Sequence, residues 1–322
     1  MIDLKSFSKS FFWPRLKNKL TIPINFFLSP IENFWLYNTD KEILKFFPPV
    51  FILGAPRSGT TILYQLLCKY FNFGFINNFV ADFYRLPNAA TSFYKKFFNE
   101  QNNISLESKF GQSQNLYGPN EFGSFWYQWF DNDHKPKKPI SIIKKEILSG
   151  VSGLTKIHQK SILFKNVVNS MRVIQLNKIF DNPVFIVITR DELDTAQSIL
   201  NARVKLYNDK NHLWSVMPSR IDNSEFKKPY WTQIIQQIRG VHFNIDLARG
   251  AIGDDKFIFV EYSDLCNNTI KVLESIKDKL NYRGVNITSY DKSYPSRLNY
   301  STGKKVSQSD YELLKNEIEK GV

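Results

Sequence analysis

The sequence predicts an α/β fold with a central parallel sheet flanked by helices. Short apolar runs with the features of buried strands alternate along the chain with longer segments of helical periodicity. Such alternation is typical of a parallel sheet that is covered on both faces. The first apolar run also ends in a glycine-containing turn that opens a helix, an arrangement suited to holding an anion.

The first unit of the fold is a strand, a loop and a helix. Residues 50–53 are all apolar and mostly β-branched or aromatic, and apolar residues recur at helical spacing after Thr60. The turn has the spacing G-x-x-x-x-G-T-T, so Gly54 and Gly59 stand where a Walker A loop has its glycines, and Thr60 replaces the Walker lysine. Because that lysine is missing, we expect a bound phosphate but no hydrolysis of ATP or GTP.

The remaining elements follow the same alternation. Residues 71–75 are expected to lead into a second strand, and residues 79–86 to be helical or irregular. Glycines and prolines indicate loops among the aromatic residues of 94–131. Further strands are predicted at residues 161–165, 184–189 and 256–260, and helices at 140–158, 171–180, 191–206, 230–249, 269–280 and 309–320.

The chain is expected to divide into an N-terminal extension, residues 1–47, and one α/β domain, residues 48–322. The extension is basic and aromatic, and Pro14, Pro23 and Pro30 are expected to prevent a long helix. A mixture of lysines and aromatic residues suits either a membrane surface or packing on the domain. We favour packing on the domain.

Composition limits the class of protein and its partners. The 43 Lys and Arg residues against 30 Asp and Glu residues give a net charge of +13, which favours an anionic partner or is simply a solvated surface. Only Cys68 and Cys266 occur, so a reducing compartment is expected rather than a disulfide scaffold. No uncharged apolar run reaches the roughly 18 residues that a membrane span needs. We expect a cytoplasmic protein, with peripheral membrane contact as an open alternative.

The predicted strands end in residues that suit an anionic ligand. In parallel sheets the ligand lies beyond the carboxyl ends of the strands. Here those ends carry the loop 54–59, Lys165, Arg190 and Tyr262. Most of these positions offer positive charge, and Tyr262 offers an aromatic ring.

Arg190 and Ser198 form a candidate second phosphate site. Arg190 follows the strand 184–189, Asp191 then opens a helix, and Ser198 lies about two turns into that helix. An arginine fork and a hydroxyl suit a phosphate separate from the one in the loop. Two such sites are what an adenosine with 5′- and 3′-phosphates requires. The alternative is an Arg190 paired with Asp191 or Asp194, beside a surface serine.

The loop Gly-Ala-Pro-Arg-Ser-Gly-Thr-Thr at 54–61, with Arg190 and Ser198, resembles the two signature motifs of sulfotransferases. The resemblance is closest to the bacterial and Golgi-type branch, which has arginine in the loop, and carbohydrate-type members in particular. It implies a three-layer P-loop NTPase-like fold and no metal. It also implies that a sulfuryl group moves from 3′-phosphoadenosine 5′-phosphosulfate (PAPS) to a hydroxyl or amine.

The resemblance also implies roles for individual residues. Lys165 resembles the lysine placed against the transferring sulfate, and its alternative is a strand-end lysine that reaches water. Tyr262 resembles a residue beside the adenine, and its alternative is a core tyrosine. Residues 301–305 would be a basic flap over the 3′-phosphate. The 5′-phosphosulfate is assigned to Arg57, Ser58, Gly59, Thr60 and Thr61, and the 3′-phosphate to Arg190 and Ser198.

The catalytic base is expected to be Glu121. Cytosolic relatives place a histidine two residues after the strand-end lysine, but this chain has Val167 there. Glu121 stands alone among aromatic residues after a Gly-Pro loop, and other relatives use a glutamate. Asp82 and His134 are weaker candidates, and Glu121 paired with a basic residue or capping a helix is the structural alternative. Arg57 and Lys165 would stabilise the leaving phosphate.

The acceptor is expected to be a carbohydrate or a glycolipid. Sugar rings pack on aromatic rings, although aromatic residues at these spacings are more often core. One rival function is a P-loop kinase or NTPase, and another is a basic protein that binds nucleic acid or a membrane surface. We do not expect nucleic acid as a partner. The aromatic residues in question are Tyr84, Phe93, Tyr94, Tyr117, Phe125, Trp126, Tyr127 and Trp129.

Overall fold

The computed structural model describes residues 21–32, 40–98, 104–109, 111–113, 115–218, 227–290 and 293–321. Within these ranges the main sheet is wholly parallel. Its strands are β1 Val50–Leu53, β4 Leu163–Lys165, β5 Val184–Thr189 and β6 Phe257–Glu261, and their order across the sheet is β4–β1–β5–β6. Strands β2 Ser108–Lys109 and β3 Gln112–Ser113 form a separate antiparallel hairpin.

Helices surround this sheet. A 3₁₀ helix at Val167–Met171 follows β4, and another at Asp254–Lys256 precedes β6. We label the helix at residues 21–32 α1. The others are α2 Ile43–Phe46, α3 Thr60–Tyr70, α4 Asn78–Asp82, α5 Pro87–Phe97, α6 Gly123–Trp126, α7 Ile140–His158, α8 Val173–Ile179, α9 Glu192–Tyr207, α10 Tyr230–Ile252, α11 Tyr262–Asn267, α12 Thr269–Tyr282 and α13 Gln308–Glu319.

The two faces of the sheet belong to two separate hydrophobic cores. Successive side chains of a strand point to opposite faces. In β1, Phe51 and Leu53 pack into a core with residues of α7, α8 and α10, whereas Val50 and Ile52 pack into a core with residues of α3 and α12. All four residues are fully buried. The predicted α/β fold, with three layers and a central parallel sheet flanked by helices, is confirmed.

Most predicted elements are present with nearly the predicted bounds. Helix 140–158 and strand 184–189 coincide with α7 and β5. The predicted strand at 71–75 does not form a ladder, although Gly74 makes one parallel bridge to Ile162 beside β4. The hairpin β2–β3 and helices α5 and α11 were not predicted.

The N-terminal prolines do not prevent a helix at residues 21–32, which contains Pro23 and Pro30. Pro30 has no N–H for the Phe26 carbonyl, and the Ser29 hydroxyl donates to that oxygen at 2.9 Å instead. Residues 1–20 lie outside the described residues. In the part of the chain that the structure describes, no helix has the length and apolar character to cross a bilayer.

Candidate active site

The loop between β1 and α3 wraps tightly around the helix N-terminus. Gly59 precedes α3 in a left-handed conformation with φ of 103°, and Arg57 is also left-handed with φ of 66°. The Ser58 hydroxyl donates to the Ala55 carbonyl at 2.8 Å, and Ser58 and Thr60 are buried. The open N–H groups of the first helical turn therefore face the carboxyl edge of the sheet, where they can bind an anion.

Gly59 packs against the aromatic ring of Tyr262. A Cβ atom added to Gly59 would lie 2.3 Å from Tyr262 Cδ2. Tyr262 begins α11 directly after β6. Because residue 59 is glycine, the phosphate loop can approach the Tyr262 ring closely. Burial raises the pKa of Tyr262 to about 12, so its hydroxyl is neutral at physiological pH.

We expect Gly59→Ala to destabilise the fold and weaken anion binding at the loop. The strained backbone alone costs about 1–3 kcal/mol, and the clash with Tyr262 adds to it. Thermal unfolding measures the loss. The control is Gly250→Ala in α10, where an added Cβ meets nothing within 4 Å and is expected to stabilise by up to about 1 kcal/mol. Equal melting temperatures for Gly59→Ala and the wild type would contradict this account of the loop.

Arg57, Arg190 and Ser198 meet where the loop faces the tip of β5. Arg57 Nε donates to Ser198 Oγ at 3.0 Å, and an Arg190 terminal nitrogen donates to the Arg57 carbonyl at 3.3 Å. The Arg190 guanidinium also lies 4.7 Å from the centre of the Tyr262 ring. The residues assigned to the two phosphates are therefore in direct contact.

The positive charge of this cluster is only partly neutralised. Burial and the nearby Arg190 guanidinium lower the pKa of Arg57. The alternative partner of Arg190, Asp194, is 3.9 Å away, which is longer than a hydrogen bond. Among the described residues, buried Arg190 Nε has no hydrogen-bond acceptor. Such an arrangement favours an added anion.

The C-terminal segment covers this cluster. Arg190 donates to the Ser301 carbonyl, and Lys305 Nζ donates to the same carbonyl at 2.6 Å. Lys305 Nζ also lies 3.5 Å from Asp194 Oδ1. Residues 301–305 therefore lie over the arginines, as expected of a basic flap.

Lys165 and Glu121 form an ion pair beside the loop. Lys165 ends β4, its side chain is only 2% exposed, and its Nζ donates to Glu121 Oε1. Glu121 is 37% exposed, and it precedes α6. Lys165 is buried, so it is not a strand-end lysine that reaches water. Glu121 is paired with a basic residue, as its structural alternative requires.

These residues share one cavity of about 360 Å³. Ser58 and Ser198 do not line this cavity. The Ser58 hydroxyl is bonded within the loop to the Ala55 carbonyl, and the Ser198 hydroxyl is bonded to Arg57, which does line the cavity. The sequence did not single out Asn166, Trp214 and Ser215, although Asn166 follows Lys165 at the strand tip. The predicted residues on the cavity wall are Arg57, Gly59, Thr60, Thr61, Glu121, Lys165, Arg190 and Tyr262.

The other candidate bases lie away from this cavity. His134 is buried, its Nε2 is 2.6 Å from the Met217 carbonyl, and burial lowers its pKa. Asp82 lines a different, larger cleft of about 1520 Å³. Across the described ranges, no cluster of His, Cys, Asp and Glu side chains could hold a metal ion. Among the described residues that line the cavity beside the phosphate loop, Glu121 is the one carboxylate.

The larger cleft adjoins the cavity at Tyr127, which lines both. Tyr84 also lines the cleft, as do the largely buried Phe125 and Trp129, whereas Trp126 is buried in the core. Four of the eight aromatic residues considered as sugar platforms, Tyr94, Phe125, Trp126 and Trp129, are buried and therefore structural. Tyr127 marks the passage from one space to the other.

The family model named Sulfotransferase family matches residues 48–284, which is most of the chain. The chain belongs to the sulfotransferase family. The match covers the phosphate loop, the Lys165–Glu121 pair and Arg190 together. This sulfotransferase is therefore an enzyme of sulfuryl transfer, which favours that activity over the kinase and simple binding-protein alternatives.

Solved structures similar to this sulfotransferase are themselves sulfotransferases. One from Mycobacterium avium has 15% identity and a TM-score of 0.48, covering 87% of this chain and 70% of its own. One from Mycobacterium tuberculosis H37Rv has 13% identity and a TM-score of 0.42, covering 84% of this chain and 71% of its own. One from Alicyclobacillus acidocaldarius has 14% identity and a TM-score of 0.43, covering 84% of this chain and 93% of its own. At such low identity the fold assignment rests on the sheet itself. No curated protein sequence matches.

Proposed function

We propose that this sulfotransferase uses PAPS as its donor. The observation that carries the proposal is that Arg57, which lines a single cavity together with Arg190, contacts both Arg190 and Ser198. The phosphate loop supplies backbone N–H groups for one phosphate, and Arg190 supplies a guanidinium whose Nε lacks an acceptor for another. Tyr262 offers its ring to the adenine of the donor.

The donor's residues divide by the phosphate that they would hold. Arg57, Gly59, Thr60 and Thr61 lie at the loop and would hold the 5′-phosphosulfate. The Thr61 hydroxyl donates to the Gly111 carbonyl at 3.1 Å, so its backbone N–H is the group left for the ligand. Ser58 would support the loop, and Arg190 and Ser198 would hold the 3′-phosphate.

The reaction is an in-line displacement at sulfur. The acceptor oxygen forms a bond to sulfur while the bond from sulfur to the 5′-phosphate oxygen breaks, and the hydroxyl proton passes to the Glu121 carboxylate. Lys165 and Arg57 stabilise the negative charge that develops on the leaving phosphate. The ion pair of Lys165 with Glu121 supports these two roles, because it holds a cation and a carboxylate side by side.

The acceptor is proposed to be a hydroxyl of a carbohydrate or glycolipid. The cleft beyond Tyr127, with a volume of about 1520 Å³, has room for a large acceptor, and Tyr84 and Tyr127 provide rings on its wall. We assign the enzyme to the bacterial and Golgi-type branch because the loop contains Arg57. We also propose that residues 48–322 act as one catalytic domain and that the protein contacts a membrane peripherally.

A thermal-shift experiment tests the donor. We expect 3′-phosphoadenosine 5′-phosphate (PAP), the desulfated product, to raise the melting temperature, because a ligand at a hundred times its Kd stabilises by about 2.7 kcal/mol. ATP with magnesium is expected to have a much smaller effect, since Thr60 replaces the Walker lysine. Stabilisation by ATP with magnesium and none by PAP would refute the proposed donor.

A further inference from the structure

Helix α1 has its polar side turned inward. Thr21, Asn25, Ser29 and Glu32 recur at helical spacing on one side of it. Asn25 is fully buried, donates to the Asp82 carbonyl at 2.7 Å and accepts from the Arg85 N–H at 3.0 Å.

Glu32 fixes the other end of this helix. It is 5% exposed and accepts hydrogen bonds from both the backbone and the side chain of Asn88, at 3.0 and 2.7 Å. Its second oxygen accepts from the Ala89 N–H at 3.1 Å. Because Asn25 and Glu32 are bonded to the domain, the helix cannot rotate to bury its other side without losing these bonds.

The opposite side of α1 is apolar and faces outward. The side chains of Phe26 and Phe27 are 66% and 76% exposed, and Ile22 is 59% exposed. Ile24, Leu28 and Ile31 are exposed as well. A cluster of large exposed apolar residues on one helix marks an interaction site, whereas single exposed residues need no explanation.

The wall of the cleft beside this helix carries four basic and three acidic residues. Thr21, Ile22 and Glu32 form one part of the cleft wall, and another part carries exposed Ile142. The cleft wall also carries three carboxylates: Glu32 accepts from Asn88, Asp82 has an interaction of its own, and Glu146 is paired with Lys138 and accepts from Trp129, so Arg85, Lys137 and Lys145 are the basic residues not paired with Glu146. The basic residues on the wall are Arg85, Lys137, Lys138 and Lys145.

We propose that the outward side of α1 inserts into the surface of an anionic lipid bilayer, with the basic cleft residues contacting lipid headgroups. Apolar side chains flanked by lysines are the combination by which helices bind in the plane of a membrane interface. The mouth of the cleft then lies at headgroup level, and the path past Tyr127 leads to the donor cavity. The acceptor is then an amphiphile held in the membrane, a consequence that rests on the proposed function.

Charge favours a bilayer over a second copy of this chain as the occupant. In a symmetric dimer the same surface faces itself, so the basic rim of one copy would meet the basic rim of the other. Like charges across an interface cost free energy, and the chain already carries a net charge of +13. Anionic headgroups complement both the apolar helix and its basic surroundings.

Vesicle co-sedimentation of the full chain tests this proposal. We expect binding to vesicles of phosphatidylcholine with phosphatidylglycerol and weaker binding to phosphatidylcholine alone. The double variant Phe26→Ser/Phe27→Ser should reduce the partition coefficient at least about tenfold, because two large apolar side chains no longer leave water. Lys137→Glu/Lys145→Glu should remove the preference for anionic vesicles.

The matched control is Ile270→Ser/Tyr282→Ser, which removes two exposed apolar side chains from α12 and should bind vesicles like the wild type. Unchanged stabilisation by PAP shows that each variant is folded. Wild-type protein that stays off anionic vesicles, or an unaffected Phe26→Ser/Phe27→Ser variant, would overturn the proposal. A dimer in light scattering that this variant dissociates would make a second copy the occupant. Each of these results leaves the donor assignment intact.

Discussion

Arg190→Ala is expected to weaken the binding of PAP on the order of 10²–10³-fold. The guanidinium is nearly buried, and its Nε lacks an acceptor among the described residues. Truncating one partner of a buried, hydrogen-bonded charge pair costs about 2–5 kcal/mol, which corresponds to this loss. Arg190→Lys should recover only part of the affinity, because lysine keeps the charge and loses the planar fork.

Isothermal titration calorimetry with PAP measures the effect of Arg190→Ala. The control is Arg249→Ala, which removes an exposed arginine paired with Asp254 and should leave the affinity unchanged. A second titration with AMP separates the phosphates: Arg190→Ala should weaken AMP binding far less than PAP binding. If it weakens both ligands equally, Arg190 supports the loop and does not bind the 3′-phosphate.

Glu121→Gln is expected to lower kcat by about 10²–10⁴-fold and to leave the affinity for PAP nearly unchanged. The amide has the shape of the carboxylate and can still accept a hydrogen bond from Lys165, but it is a far weaker base. The measurement is the release of PAP from PAPS in the presence of a hydroxylated glycolipid acceptor selected by screening. Calorimetry gives the binding of PAP to the same variant.

Two outcomes distinguish the roles of Glu121. An equal loss of turnover and PAP binding would show that the carboxylate is structural and serves to neutralise Lys165, which is 2% exposed. Full turnover by Glu121→Gln would assign the proton to another group. Glu312→Gln is the matched control, because Glu312 lies on α13, is exposed and is bonded to Gln308.

The strands and the phosphate loop could be predicted because local sequence determines them. Strand β5 is a continuous β-branched and aromatic run, and the loop has glycines at Gly54 and Gly59 where the backbone is left-handed. Helix α7 has a regular apolar period. In these segments local preference and burial agree, so the predicted bounds are close to those of the structure.

The N-terminal helix and the hairpin β2–β3 could not be predicted from local pattern. Helix α1 contains Pro23 and Pro30 and has an apolar side that is exposed, so its stability comes from Asn25 and Glu32 bonding to distant residues. The strands of the hairpin are only two residues long each. Tertiary contacts decide such segments, and a sequence pattern does not report those contacts.

The chemistry of the site was predictable where a strand tip carries it. Lys165 and Arg190 follow β4 and β5, and parallel strands bring their carboxyl ends to one edge. The Arg57–Ser198 hydrogen bond joins residues far apart in the chain and could not be inferred from spacing. Trp214 and Ser215 reach the cavity from a loop whose sequence has no distinguishing pattern.

A crystal structure of the enzyme with bound PAP is the most direct test of the two-phosphate site. We predict the 3′-phosphate on Arg190 and Ser198, with the Arg57–Ser198 bond opened or shared, and the 5′-phosphate on the loop at Arg57–Thr61. Glu121 and Lys165 should then face the open side of the 5′-phosphate. A 3′-phosphate bound away from Arg190, or a carboxylate other than Glu121 at the 5′ side, would contradict this account of the active site.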